Sequence, residues 1–195
     1  MTTIFGFVRH GQTDWNLEGR IQGIINNPLN EEGRKQAHQL GSFLKEQGED
    51  WNLILTSPLI RAQETARIIQ SYFPKLSLII EPAFIEREFG QAEGQLITKD
   101  LFDRICLGEI IAMEDASSLQ MRVETAVKRI ALIHPGKRIL VVAHSHVIKG
   151  LLTKIDGGFT FRHRMDNGSI TYFRVENDDI MLEALNQNHH LIKRD

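Results

Sequence analysis

Four short apolar runs mark the chain at residues 4–8, 53–55, 76–80 and 139–143. Three of them lack the alternation of a half-exposed strand and predict strands covered on both faces. The run at 76–80 alternates more but keeps its β-branched residues. Between the runs, apolar side chains recur at helical spacing: Ala37, Leu40 and Leu44; Ala62, Ala66, Ile69 and Phe73; Val123, Ala126, Val127, Ile130 and Ile133. Strand and helix in alternation predict a parallel sheet. Residues 170–175 and 180–185 flank Asn177-Asp178-Asp179 and predict a hairpin added antiparallel to that sheet. The expected fold class is α/β: a three-layer sandwich, its central sheet mostly parallel, with helices on both faces and a C-terminal antiparallel hairpin.

Local signals set the expected boundaries. Ser57-Pro58 offers a capping hydroxyl before a proline at a first helical position, and Ser117 with Gln120 has capping-box spacing. Pro135-Gly136 ends the third helix. The stretch 95–116 has the weakest period and reads as one or two short helices forming a cap. No repeat, low-complexity tract or linker divides the 195 residues, so a single domain over 1–195 is expected.

Composition narrows the partners. With 42% hydrophobic and 25% charged residues a continuous core can form. Lys and Arg total 23 against 25 Asp and Glu, which argues against a basic sheath and a nucleic-acid partner. No run approaches the roughly 18 apolar residues of a membrane span. The first residues carry no basic and apolar leader, and Cys106 is the one cysteine. A cytoplasmic protein without an internal disulfide or a membrane partner is expected. Oligomeric state is not legible.

Chemistry gathers after the expected strands. Arg9-His10-Gly11 follows the first, Ser57 to Arg61 the second, Glu86 the third, and His144-Ser145-His146 the fourth. In open α/β sheets ligands bind beyond the carboxyl ends of the strands. Two guanidinium forks there can hold a tetrahedral oxyanion while a neutral imidazole attacks its central atom. Phosphate is the natural candidate, and Arg61 in a first helical turn suits an anion. Alone, Arg61 reads equally as a solvent-facing arginine paired with Glu64, and Glu86 as part of a solvated charge run. His144 with His146, or His189 with His190, suggests a metal pair, but no third ligand follows at a recognisable spacing. Cys106 reads as a small core residue.

Residues 7–16, Phe-Val-Arg-His-Gly-Gln-Thr-Asp-Trp-Asn, resemble the R-H-G-x-T-x-x-N signature of the histidine phosphatase superfamily, the phosphoglycerate mutase-like proteins. The resemblance continues through residues 19–23, 28–29, 33–37 and 57–66. It takes in Glu86, Phe89-Gly90, Glu93-Gly94, Val142-Ala143-His144 and the tail from Asn167 to Leu191. It implies a phosphoglycerate mutase-like fold and a catalytic set of His10, Glu86, His144, Arg9 and Arg61. In that set His10 is the nucleophile, Glu86 the acid and then the base, and Arg9, Arg61 and a protonated His144 hold the phosphoryl group. Asn16, Gln22, Gly23 and Ser145 fall at substrate-binding positions. A backbone carbonyl, that of Gly11, is expected to take the other ring N–H of His10. Ser145 stands where the family usually has glycine, Ala92 where it usually has tryptophan, and Ala116-Ser117-Ser118 replaces G-E-S.

The function this implies is a metal-independent phosphomonoester hydrolase of histidine acid phosphatase type. It would need no cofactor and would act on a small phosphorylated metabolite through a phosphohistidine. The alternatives are a cofactor-dependent phosphoglycerate mutase and a non-catalytic phosphoanion-binding module. Mutases of the family carry a longer insertion after E-G. Here residues 95–116 are short and apolar, with Lys99 and Arg104 their cations, which favours hydrolysis and an uncharged or partly apolar leaving group.

Overall fold

A computed structural model of the chain describes residues 1–191. Positions 192–195, the end of the expected domain, lie outside the described residues. Six strands form one sheet: β1 (Thr3–Arg9), β2 (Leu53–Thr56), β3 (Leu78–Ile80), β4 (Arg138–Ala143), β5 (Ile170–Glu176) and β6 (Asp179–Gln187). Their order is β3-β2-β4-β1-β5-β6. The first four are mutually parallel, while β5 runs antiparallel to β1 and β6 antiparallel to β5. The expected mixed α/β sheet is therefore present. Its helices are α1 (Asp14–Glu18), α2 (Glu31–Glu46), α3 (Ile60–Tyr72), α4 (Lys99–Leu107), α5 (Ala116–Ile133) and α6 (Ser145–Ile155).

The continuous apolar runs are explained by burial on two sides. Side chains alternate across a strand. Phe5, Phe7, Ile139, Val141 and Ala143 face one core with Val123 and Val127 of α5 and Val147, Ile148 and Leu151 of α6. Val8, Ile54, Leu140 and Val142 face the other with Leu40 and Leu44 of α2 and Ala62, Ala66 and Ile69 of α3. β3, at the sheet edge, is shorter than the run that predicted it and leaves Ile79 and Ile80 half exposed. The β5–β6 turn is tighter than expected. Asn177 and Asp178 both have positive φ, 50° and 72°, as a two-residue primed turn requires, and Asp179 already belongs to β6.

Three local expectations are corrected. α3 starts at Ile60, with Leu59 as its N-cap and no side-chain cap; the Ser57 hydroxyl, 2.7 Å from His144 Nε2, accepts from the N–H of Leu59 itself, ahead of the helix. α5 is capped by Asp115, whose carboxylate accepts from the Ser118 N–H; Ser117 is already helical. Ile133, at the last position of α5, faces solvent. The stretch 95–116 holds one helix, α4, begun by the Thr98 hydroxyl and closed by Gly108 in the left-handed region. No helix among the described residues is long and apolar enough to cross a membrane.

This topology makes the site. β1 and β4 are neighbours in parallel register, Arg9 beside Ala143, so the chain leaves both strands at one edge of the sheet. The end of β2 lies beside β4 there, with Thr56 opposite Val142.

Candidate active site

The loop after β1 approaches α2 more closely than side chains would allow. A Cβ on Gly11 would lie 2.2 Å from the Gly33 carbonyl oxygen, and one on Gly33 would lie 2.0 Å from that of Gln12. The Gly11 N–H donates to Thr65 Oγ1 at 3.1 Å, tying the loop to α3. Held this way, His10 is buried and its Nδ1 lies 2.7 Å from its neighbour's carbonyl, Gly11 O. A carbonyl can only accept, so Nδ1 carries the hydrogen and Nε2 keeps its lone pair. The Arg61 Nε–H donates to that Nε2 at 3.2 Å. Burial, and then the charges of Arg61 and Arg9, hold the imidazole well below its ordinary pKa and therefore neutral.

Arg61 is not solvent-facing. It is 1% exposed, on the second residue of α3, and its two terminal nitrogens donate to Ile25 O at 2.8 Å and Gly23 O at 2.7 Å. Glu64, the partner it would have as a surface residue, instead accepts from the Leu29 N–H. Gly23 has φ +52°, and a Cβ there would strike Glu93 Oε1 at 1.9 Å. That same oxygen accepts from the N–H groups of Ile24 and Phe89 at 3.1 and 3.0 Å. Arg9 donates through Nη1 to Met165 O, while its Nε is buried without a partner among the described residues. Burial lowers both arginines to about 10, against the pull of Glu86.

Glu86 is carried on a well-anchored turn. Phe84 is wholly buried and meets Phe7 edge-on at 5.4 Å. Arg122 of α5, paired to Glu114, donates to the carbonyls of Ala83 and Glu86. The carboxylate accepts from the N–H groups of Arg87 at 2.9 Å and His146 at 3.3 Å. Burial is the largest influence and raises its pKa above the ordinary value.

His144 is wholly buried behind the cavity wall, its ring centre 5.1 Å from that of His10 and its Nε2 2.7 Å from Ser57 Oγ. Burial and the charges of Arg61, His10 and Arg9 keep it well below its ordinary pKa, so in these surroundings it is neutral rather than protonated. Ser145 opens α6 without a positive φ, so the side chain in place of glycine fits ordinary helical backbone. His146 lies between Phe89 and Phe161, at 4.8 and 5.0 Å. The two histidines considered as a metal pair thus face different partners.

A cavity of about 160 Å³ gathers nearly all the expected residues: Arg9, His10, Asn16, Gln22, Gly23, Arg61, Glu86 and Ser145 line it. Asn16 spends its oxygen on Thr13 and Asn167, leaving its NH₂ as a donor. The opposite end is apolar, walled by Ile21, Phe89, Ile97, Phe102 and Ile105. Lys99 and Arg104 are exposed and stand apart from it. Its cations there are Arg20 and Lys149, neither of which sequence reasoning singled out. Lys149, four residues after Ser145, shares a helix face with it, the one signal available.

The family model of the histidine phosphatase superfamily, branch 1, matches residues 5–188. The chain belongs to this superfamily. It is 35% identical over 189 residues to the uncharacterized phosphatase PhoE of Bacillus subtilis (strain 168), covering 94% of each chain. It is 31% identical to the phosphoglycerate mutase-like protein 4 of Arabidopsis thaliana, over 88% of this chain and 79% of that one. The solved structure of Bacillus stearothermophilus YhfR superposes with a TM-score of 0.86 at 26% identity, covering 97% of this chain and all of that one.

Proposed function

We propose that the protein is a metal-independent phosphomonoester hydrolase that works by two in-line phosphoryl transfers, first to His10 and then to water. The observation that carries this reading is the fixed tautomer of a buried, neutral His10, its Nε2 lone pair turned toward Arg61 in a cavity shared with Glu86.

In the first step Nε2 attacks phosphorus and the ester P–O bond breaks. The leaving oxygen takes the proton of Glu86, which its raised pKa keeps available. The Arg61 Nε–H exchanges Nε2 for a phosphoryl oxygen, and Arg9, Asn16 and the Ser145 N–H receive the remaining charge. Such stabilisation of the equatorial oxygens carries most of phosphoryl-transfer catalysis. A phosphoryl dianion also supplies the counter-charge that lets His144 take up a proton and donate. In the second step the Glu86 carboxylate removes a proton from water as its oxygen attacks phosphorus. The N–P bond breaks, and neutral His10 and inorganic phosphate are regenerated. Gln22 and Gly23 shape the cavity, and the short 95–116 stretch acts as its cap.

The likeness to a Bacillus phosphatase and the small apolar far end support hydrolysis of a small phosphorylated metabolite. Rapid acid-free quenching during turnover should give protein bearing an acid-labile, base-stable phosphoryl group on His10, absent from His10→Ala. Activity should persist in EDTA. Label on Ser57, Ser145 or Cys106, or activity lost to EDTA and restored by Mg²⁺, would overturn the mechanism.

A further inference from the structure

Four cations line the cavity, and their hydrogen bonds sort them. Arg61 is committed to three acceptors and Arg9 lies at the phosphoryl end. Arg20 is spent on Glu18 at 2.6 Å and on Gly94 O at 3.0 Å. Lys149 is different. It is 7% exposed, and its ammonium, with three hydrogens to donate, meets one acceptor, Phe161 O at 3.0 Å. Among the described residues no carboxylate lies within ion-pair distance of it, although ion pairs are plentiful elsewhere on the surface.

A buried cation without a counter-ion is costly to a fold. Burial, with Arg9 adding repulsion, lowers Lys149 to about 8, so it is still mostly charged at neutral pH. The groups that act on its charge are Arg9 beyond β1, Glu86 on the turn after β3, Cys106 of α4 and His146 on its own helix. Glu86 is the one carboxylate among them, and its oxygens are engaged by two backbone N–H groups. The side chain of a helical residue leans toward the helix N-terminus. Lys149 therefore reaches back along α6 toward the cavity, on the side where α4 closes it.

We propose that Lys149 receives a carboxylate carried by the leaving group, making phosphomonoesters of small hydroxyacids the preferred substrates. This rests on the phosphatase reading above and revises the uncharged leaving group that residues 95–116 suggest by themselves. One unpaired cation matches one monoanion.

The test compares 3-phosphoglycerate with glycerol 3-phosphate, which keeps the carbon skeleton but replaces the carboxylate with a hydroxymethyl group. Phosphate release by the wild-type protein should favour 3-phosphoglycerate by about tenfold or more in kcat/KM. Lys149→Met, which keeps an apolar stem in place, should lower kcat/KM for 3-phosphoglycerate by about 10- to 100-fold, mostly through KM. The loss for glycerol 3-phosphate should be at least about tenfold smaller. Equal losses on both substrates would make Lys149 a packing or phosphoryl-holding residue and overturn the proposal, as would a wild-type protein without preference. Should Lys149→Met fold poorly, the wild-type preference still decides. Calorimetric titration of His10→Ala with both ligands separates the two readings. Tighter binding of 3-phosphoglycerate, with neither compound hydrolysed by the wild type, would leave the Lys149 assignment standing and remove the phosphatase one. Hydrolysis of both with no difference in affinity would do the reverse.

Discussion

The two ends of the cavity are built by different means. At the phosphoryl end His10, Arg61 and Glu86 are positioned by main-chain groups close to the strands: the Gly11 carbonyl, the Gly23 and Ile25 carbonyls, and the N–H groups of Arg87 and His146. At the far end Ile97, Phe102 and Ile105 come from α4 and the segment before it, and they meet Ile21, Phe89 and Lys149 from three other parts of the chain. Backbone contacts fix a charge within a fraction of an ångström, as phosphoryl chemistry demands. Side-chain packing from a short helix fixes only a shape. The first end is therefore the one that tolerates little change, and the second is the one where specificity can vary.

The largest effect that tests this contrast is expected at Glu86. Glu86→Gln should slow phosphorylation of His10 by an alkyl phosphate by about 10²- to 10⁴-fold, because the alkoxide must leave with a proton. An aryl phosphate, whose phenolate leaves unaided, should phosphorylate His10 at nearly the wild-type rate and show a burst, since the second step lacks its base. Single-turnover kinetics with both substrates reads the difference; equal slowing without a burst would remove the acid–base role. At the other end Phe102→Ala should act on shape alone. The expected change is a rise of about tenfold in KM for an aryl phosphate with competitive inhibition by inorganic phosphate unchanged, the scale of a lost apolar contact.

A smaller effect comes from the three buried histidines. His10, His144 and His146 all have native pKa values well below the ordinary 6.5. Unfolded, they take up protons near 6.5; folded, they resist. Their stabilisation is thus fully present above that value and is lost as pH falls below it. Melting curves from pH 7.5 to 5.5 should show a falling Tm, by about 2–4 °C for each kcal/mol lost. His146→Phe, placed between Phe89 and Phe161, should flatten the decline while leaving the phosphoryl end with both of its own histidines.

The sequence made the phosphoryl end legible because each of its residues follows a strand by a few positions, and strand ends can be read from apolar runs. The helix caps depart from the sequence expectation for one tertiary and one local reason. Ser57 looks like an N-cap, but its hydroxyl, 2.7 Å from His144 Nε2, accepts from the N–H of Leu59, which is still extended and is itself the N-cap. Ser117 looks like one until Asp115, two residues earlier, competes with a carboxylate. For Lys149 the sequence offers only its place on the helix face of Ser145. In sequence it is one lysine in an apolar helix; its want of a partner arises only when the 157–165 loop and α4 close over it.

The Gly23–Glu93 contact carries a consequence for anyone redesigning the protein. One carboxylate oxygen fills the place of the missing Cβ and bridges Ile24 to Phe89, while the carbonyl of the same glycine grips Arg61. A mutational library aimed at new substrates that randomises position 93 would therefore also loosen an arginine of the phosphoryl clamp, and its variants would score poorly for a reason unrelated to the substrate offered. Positions 97 and 102 face the same cavity without that linkage, so diversity placed there is screened for recognition alone.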